Sequence, residues 1–96
     1  LDTKTIFSGR GYTLKKSGKL MNLRLYGVHP NSIPQIAPAY RPTTVDASGF
    51  VWILGDSPQP GFLVVSGYSG LTSSYAITGP DMPNTECRGS VVWIID

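Results

Sequence analysis

Glu86 and Arg88 stand two residues apart in this chain, and Trp52 and Asp56 flank the end of one apolar run. Side chains two apart on an extended strand share a face, so Glu86 and Arg88 would sit side by side. A ring next to a forked, charged group is equipment for non-covalent recognition: the ring offers a flat apolar surface and the fork offers directed hydrogen bonds. Tyr68 and Tyr75 bring two more rings around a later connection, and Arg88 is the strongest single candidate. Plainer roles compete for the same residues. Glu86 and Arg88 could be no more than an exposed ion pair worth under about 1 kcal/mol. Trp52 and Trp93 have apolar neighbours and suit a core or a seam between subunits. His29 precedes Pro30 and suits a loop histidine bonded to backbone better than a ligand. Arg41, before Pro42, suits a guanidinium that pins a loop through carbonyls, with Tyr40 packed beneath it.

Catalytic arrangements are harder to assemble from these residues. The 6 carboxylates are Asp2, Asp46, Asp56, Asp81, Glu86 and Asp96, and no spacing pairs two of them across a cleft as glycoside cleavage requires. The single histidine has no nucleophile motif nearby. Ser8-Gly9-Arg10-Gly11 has the composition of a phosphate loop, but no helix follows to supply aligned donors, so a turn or edge bulge is expected. Cys87 is the 1 cysteine, which excludes an internal disulfide and a cysteine-built zinc site within one subunit. The reading is therefore of a non-enzyme, with no metal and no cofactor implied. A thiol that stays reduced fits maturation inside a reducing cell.

The elements that must hold these residues are strands. Charged residues are 15% of the chain, well below the usual quarter, and 11 Gly with 8 Pro supply many turns. Gly11 to Lys16, the turn Ser17-Gly18 and Lys19 to Val28 have the form of a hairpin. Its second arm alternates, with Met21, Leu23 and Leu25 toward a core and Asn22, Arg24 and Tyr26 opposite. Pro30, Pro34, Pro38 and Pro42 exclude a long regular element from His29 to Pro42, which reads as a packed loop crossing the molecule. Strands are expected at Thr43–Ala47, Gly49–Leu54, Phe62–Ser66, Thr72–Thr78 and Glu86–Ile95, with a turn cluster at 56–61 and a loop at 79–85. No helix beyond a single turn is expected.

Gly49–Leu54 and Ser90–Ile95 are apolar on both faces. In the first, Phe50, Trp52 and Leu54 oppose Val51 and Ile53; in the second, Val91, Trp93 and Ile95 oppose Val92 and Ile94. A 96-residue chain has little material for covering both sides, so further copies of itself are the expected cover. The fold expected is all-β, a small Greek-key β-barrel or sandwich, trimeric, with residues 1–7 as the end of a neck or linker and 8–96 as the head. The opening at Leu1 reads as a C-terminal piece of a longer chain. With a net charge of +2 and Lys15, Lys16 and Lys19 around one turn, a nucleic-acid footprint is not indicated. The longest apolar stretch, Val91–Ile95, is too short to insert in a membrane as a helix.

Ile36-Ala37-Pro38-Ala39-Tyr40-Arg41-Pro42, followed by a strand, a short turn and Gly61-Phe62-Leu63-Val64-Val65, resembles a pattern common in C-terminal tail and baseplate domains of phages that infect Gram-positive bacteria. Across nearly its full length the chain resembles the head domain of lactococcal siphophage receptor-binding proteins. That resemblance implies a homotrimeric β-barrel head on a neck, joined to upstream baseplate proteins at the tail tip of a virion and made in the host cytoplasm. It also implies binding of a host cell-surface saccharide at or near the subunit boundary. Sugar rings stack their C–H faces on aromatic side chains and match paired hydroxyls to forked polar groups. On that expectation the binding residues are Arg88, Glu86, Trp52, Asp56, Tyr75, Tyr68 and His29. A structural trimerisation or adaptor module of a phage tail is the alternative, and a glycan-degrading tail enzyme the more distant one.

Overall fold

The computed structural model describes residues 2–54, 59–75 and 86–95, the last three residues of the middle stretch by backbone alone. Seven strands form one antiparallel sheet: β1 (Thr3–Gly9), β2 (Tyr12–Ser17), β3 (Leu20–Val28), β4 (Ala47–Ile53), β5 (Gln59–Ser66), β6 (Gly70–Tyr75) and β7 (Cys87–Ile94). Their spatial order is β1-β2-β3-β7-β4-β5-β6. The run β7-β4-β5-β6 is the order of a Greek key, in which a fourth strand returns beside the first of three. The sheet curls into a half-barrel, with β1 and β6 at its two edges among the described residues. The all-β expectation holds, and the architecture is one curled sheet where a closed barrel or a two-sheet sandwich was expected.

Alternation decides which face each strand buries. In β3, Met21, Leu23 and Leu25 are buried, while Asn22, Arg24 and Tyr26 are exposed. β4 buries Val51 and Ile53, β5 buries Leu63 and Val65, and β7 buries Val91 and Trp93. These side chains share the inner face and form one cluster with Leu14 of β2. At the end of β3 the pairing with β7 shifts between Tyr26 and Val28. Gly27, at a φ of 120° that side-chain-bearing residues rarely adopt, absorbs the bulge. The bulge reverses the alternation, so that Tyr26 faces water while Val28, two residues on, is buried.

The proline-rich loop supplies the second layer. It contains two single-turn 3-10 helices, Pro30–Ser32 and Pro38–Tyr40, and buries Ile33 and Ile36 against the inner face. Trp93 Nε1 donates to the Tyr40 carbonyl at 2.7 Å, tying the loop to β7. Arg41 Nε donates to the Ile36 carbonyl at 2.7 Å and its Nη1 to the Tyr68 carbonyl at 3.3 Å, so the guanidinium pins the loop as its sequence position suggested. Gln35 Oε1 accepts from the amides of Ile36 at 3.1 Å and Leu71 at 2.8 Å, fastening the loop to β6 as well. The shortest extent of the molecule is 17 Å, room for the sheet and one covering layer. The outer face of the sheet has no such cover among the described residues.

One strand expectation needs adjustment. Thr43–Asp46 do not form a strand, and β4 starts at Ala47. Ala47 pairs with Val65, and β5 ends one residue later at Ser66, so the four residues before Ala47 find no strand to pair with. Residues 1–7, expected as the end of a neck, contribute Thr3–Phe7 to β1, which pairs with β2 from Thr3 opposite Ser17 to Gly9 opposite Tyr12.

Candidate functional site

β7 enters the sheet between β3 and β4, and this insertion builds the site. Arg88 lies opposite Tyr26 on one side and opposite Trp52 on the other. All three side chains are exposed, Tyr26 at 46% and Trp52 at 50%. Neighbouring strands are about 5 Å apart, so Arg88 takes the middle position of a cross-strand row whose outer members are aromatic residues. One pleat step along, Arg24 lies opposite Thr13 and Ser90, and its Cζ is 5.9 Å from the centre of the Tyr26 ring, within cation–π range. The Tyr26 hydroxyl lies 3.5 Å from the Gly9 carbonyl and 3.5 Å from Thr13 Oγ1, which orients the ring toward β1 and β2.

Two adjoining depressions follow this surface. One, of about 510 Å³, is lined by Asn22, Arg24, Tyr26, Arg88 and Ser90 among others. The second, of about 340 Å³, is lined by Thr13, Lys15, Asn22, Arg24 and Tyr26. Lys15, Arg24 and Arg88 give the surface a positive potential. Glu86 lies at its border, where a side chain placed on Gly27 would start 3.7 Å from its Oε2. Among the described residues Glu86 and Arg88 form no ion pair, and the Arg88 side chain is exposed. An apolar stripe borders the charged corner. The Phe50 and Phe62 rings meet at 5.2 Å across β4 and β5, and Val92, Ile94 and Leu20 continue the stripe toward the other end of β7.

Of the residues expected in a site, Arg88, Trp52 and Glu86 are thus brought to one region. Tyr68 is not with them. It occupies the β5–β6 turn, at the far end of β5 from Pro60, the residue opposite Trp52, and is 96% exposed. His29 follows β3 and caps the first 3-10 turn, its Nδ1 accepting from the Asn31 amide at 3.1 Å while Nε2 is buried with no hydrogen-bond partner among the described residues. That is the backbone-bonded loop histidine its place before a proline suggested. Tyr75 ends β6 opposite Gly61, and Asp56 lies outside the described residues.

Tyr26 and Arg24 are the functional candidates that sequence reasoning missed. The alternation of β3 put both on the polar face; the missing fact was that β7 lies next to β3, which sets them beside Arg88.

Exposed rings beside forked cations are equipment for non-covalent contact. Among the described residues no three or more His, Cys, Asp or Glu side chains group as metal ligands. Cys87, whose thiol burial pushes up, points into the core on the inner side. No described helix is long and apolar enough to cross a membrane. Comparison with protein-family models, curated proteins and solved structures gives no match to this chain.

Proposed function

We propose that this chain is a saccharide-binding head module of a phage tail, which attaches the virion to a host cell-wall glycan without chemical change. The observation that carries the reading is the exposed cross-strand row Tyr26–Arg88–Trp52, an arginine flanked in register by two aromatic residues. Rings of this kind stack on the C–H faces of a pyranose, and the Arg88 and Arg24 forks with the Asn22 and Ser90 side chains match its hydroxyls. The depressions are shallow, as suits a glycan that is gripped along one side and released. The phage assignment rests on the likeness of the Pro38–Pro42 segment and its flanking strands to receptor-binding heads.

In the same reading the apolar stripe is the seam of a homotrimer. Leu20, Phe50, Val92 and Ile94 are exposed on the face opposite the core, and covering them with further copies sets the charged corner at a subunit boundary. Affinity per site is then weak, and three sites per trimer raise the effective strength, by on the order of 10² to 10⁴ for a linked pair. Neck and baseplate proteins hold the head at the tail tip.

The direct test is a titration of the protein with purified lactococcal wall polysaccharide, followed by calorimetry, for the parent, Arg88→Ala and Trp52→Ala. The reading expects each variant to lose about tenfold or more in affinity, the scale of one stacking or charge-assisted contact, while remaining folded. Equal binding by all three removes this surface from the site. Progressive shortening of the polysaccharide in the same samples would establish an enzyme instead.

A further inference from the structure

We infer that the molecule carries a second ligand site, in the groove between the β5–β6 turn and the 41–46 segment, which holds a single uncharged sugar ring against Tyr68. The inference rests on the proposed saccharide-binding role and adds to it a second location and a ligand class.

Tyr68 is 96% exposed at the tip of a turn, so its ring contributes almost nothing to the core. Its backbone is nevertheless firmly held. The Ser66 Oγ accepts from the Tyr68 amide at 3.1 Å, and the Tyr68 carbonyl accepts from Arg41 Nη1 at 3.3 Å. Gly67 lets the turn close against the loop, since a Cβ there would sit 2.5 Å from the Pro42 carbonyl oxygen. Arg41 is itself fixed to the Ile36 carbonyl, and Gln35 joins the loop to the Leu71 amide. An aromatic ring is therefore displayed in water on a braced support, which lowers the entropy lost when a flat ligand settles on it.

The space beside the ring fits such a ligand. The groove has a volume of about 470 Å³ and is lined by Arg41, Thr43, Thr44, Asp46 and Ser66 as well as Tyr68. That is within the range of small-molecule sites, roughly 300–1,000 Å³. Its charged side chains are one guanidinium, with two of its donor positions directed at carbonyls, and one exposed carboxylate. The opposite charges leave no net pull on an anion or a cation. Hydroxyl groups that both donate and accept would meet the Asp46 carboxylate and the Thr44 hydroxyl together, while a C–H face meets the tyrosine ring. An uncharged polyhydroxylated ring has both properties. The outer-face cluster, rich in cations, makes a different selection. About 20 Å of β5, from Pro60 opposite Trp52 to Ser66, separates the two.

The test is an amide-resolved NMR titration of the protein with glucose, galactose, mannose and N-acetylglucosamine in turn. For at least one sugar, saturable shifts are expected at residues 43–46 and 66–69. Tyr68→Ala should weaken that response by about tenfold and Tyr68→Phe by less than about twofold, because the ring and not the hydroxyl makes the contact. Arg88→Ala should leave it unchanged. Shifts confined to the Arg24, Tyr26 and Arg88 surface would overturn the second site while leaving the proposed function standing. Shifts in the groove that survive Tyr68→Ala would overturn it too, and silence at both surfaces would remove both readings. A groove response with a silent outer face would support this site and refute the placement of the first.

Discussion

Replacing Ile94 with lysine should dismantle the assembly without harming the fold, and the expected size of the effect follows from exposure. Ile94 is 66% exposed and Phe50 68% in the single chain, so neither contributes much to the core of one subunit. A large apolar side chain exposed to that degree presents on the order of 100 Å², worth about 2.5 kcal/mol when fully covered at ~25 cal/mol per Å². Together Leu20, Phe50, Val92 and Ile94 offer on the order of 400 Å², about half of the roughly 800 Å² per partner of a standard interface. Losing the Ile94 contribution should raise the subunit dissociation constant by about 50- to 100-fold, and more where the new ammonium is buried against a neighbour. Sedimentation equilibrium over a hundredfold concentration range reads this directly. Urea unfolding of the separated subunit provides the control, and a change within about 0.5 kcal/mol is expected for an exposed position. A parent protein that remains a single subunit at every concentration, or an Ile94→Lys variant that assembles as the parent does, would falsify the seam.

Two further outcomes concern the core. Trp93→Phe removes the 2.7 Å donation to the Tyr40 carbonyl and should lower stability by about 1–3 kcal/mol, seen as a fall of roughly 5–20 °C in the thermal midpoint; an unchanged midpoint would mean the loop is held without that bond. Burial raises the Cys87 thiol above its ordinary value of 9.0, so the folded chain holds this proton more tightly than the unfolded one. Its contribution to stability is then whole at neutral pH and declines as pH rises from that ordinary value toward the raised one. Urea midpoints measured from pH 7 to 10.5 should fall in the parent and fall less in Cys87→Ala, and parallel curves would refute the linkage.

Much of the fold was readable because alternation is a local signal. The pattern of β3 assigned Met21, Leu23 and Leu25 to the core, and the apolar runs 49–54 and 90–95 were legible as strands, which the fold then places side by side inside one sheet. Which strand stands beside which was not readable, since register between β3, β7 and β4 depends on pairs such as Ile53 with Cys87 and Leu20 with Ile94, far apart along the chain. For that reason Arg88 could be singled out while its neighbours Tyr26 and Arg24 could not. Thr43–Asp46 show the opposite failure. Thr43, Thr44 and Val45 are good strand formers by type, but a strand also needs a partner, and β5 turns away at Ser66 before it can provide one. Tyr68 and Trp52 stand at opposite ends of β5 because strand direction, absent from any local spacing, sets the distance between them.

The sheet divides its labour by side: the residues that close the core point one way, and Asn22, Arg24, Tyr26, Arg88 and Ser90 point the other. Mutation can therefore rewrite the outward set without disturbing the interior, because each outward residue shares its backbone ladder with the core but none of its packing. A lineage carrying this scaffold has a surface on which outward substitutions can be tried one at a time, with folding as an almost constant background.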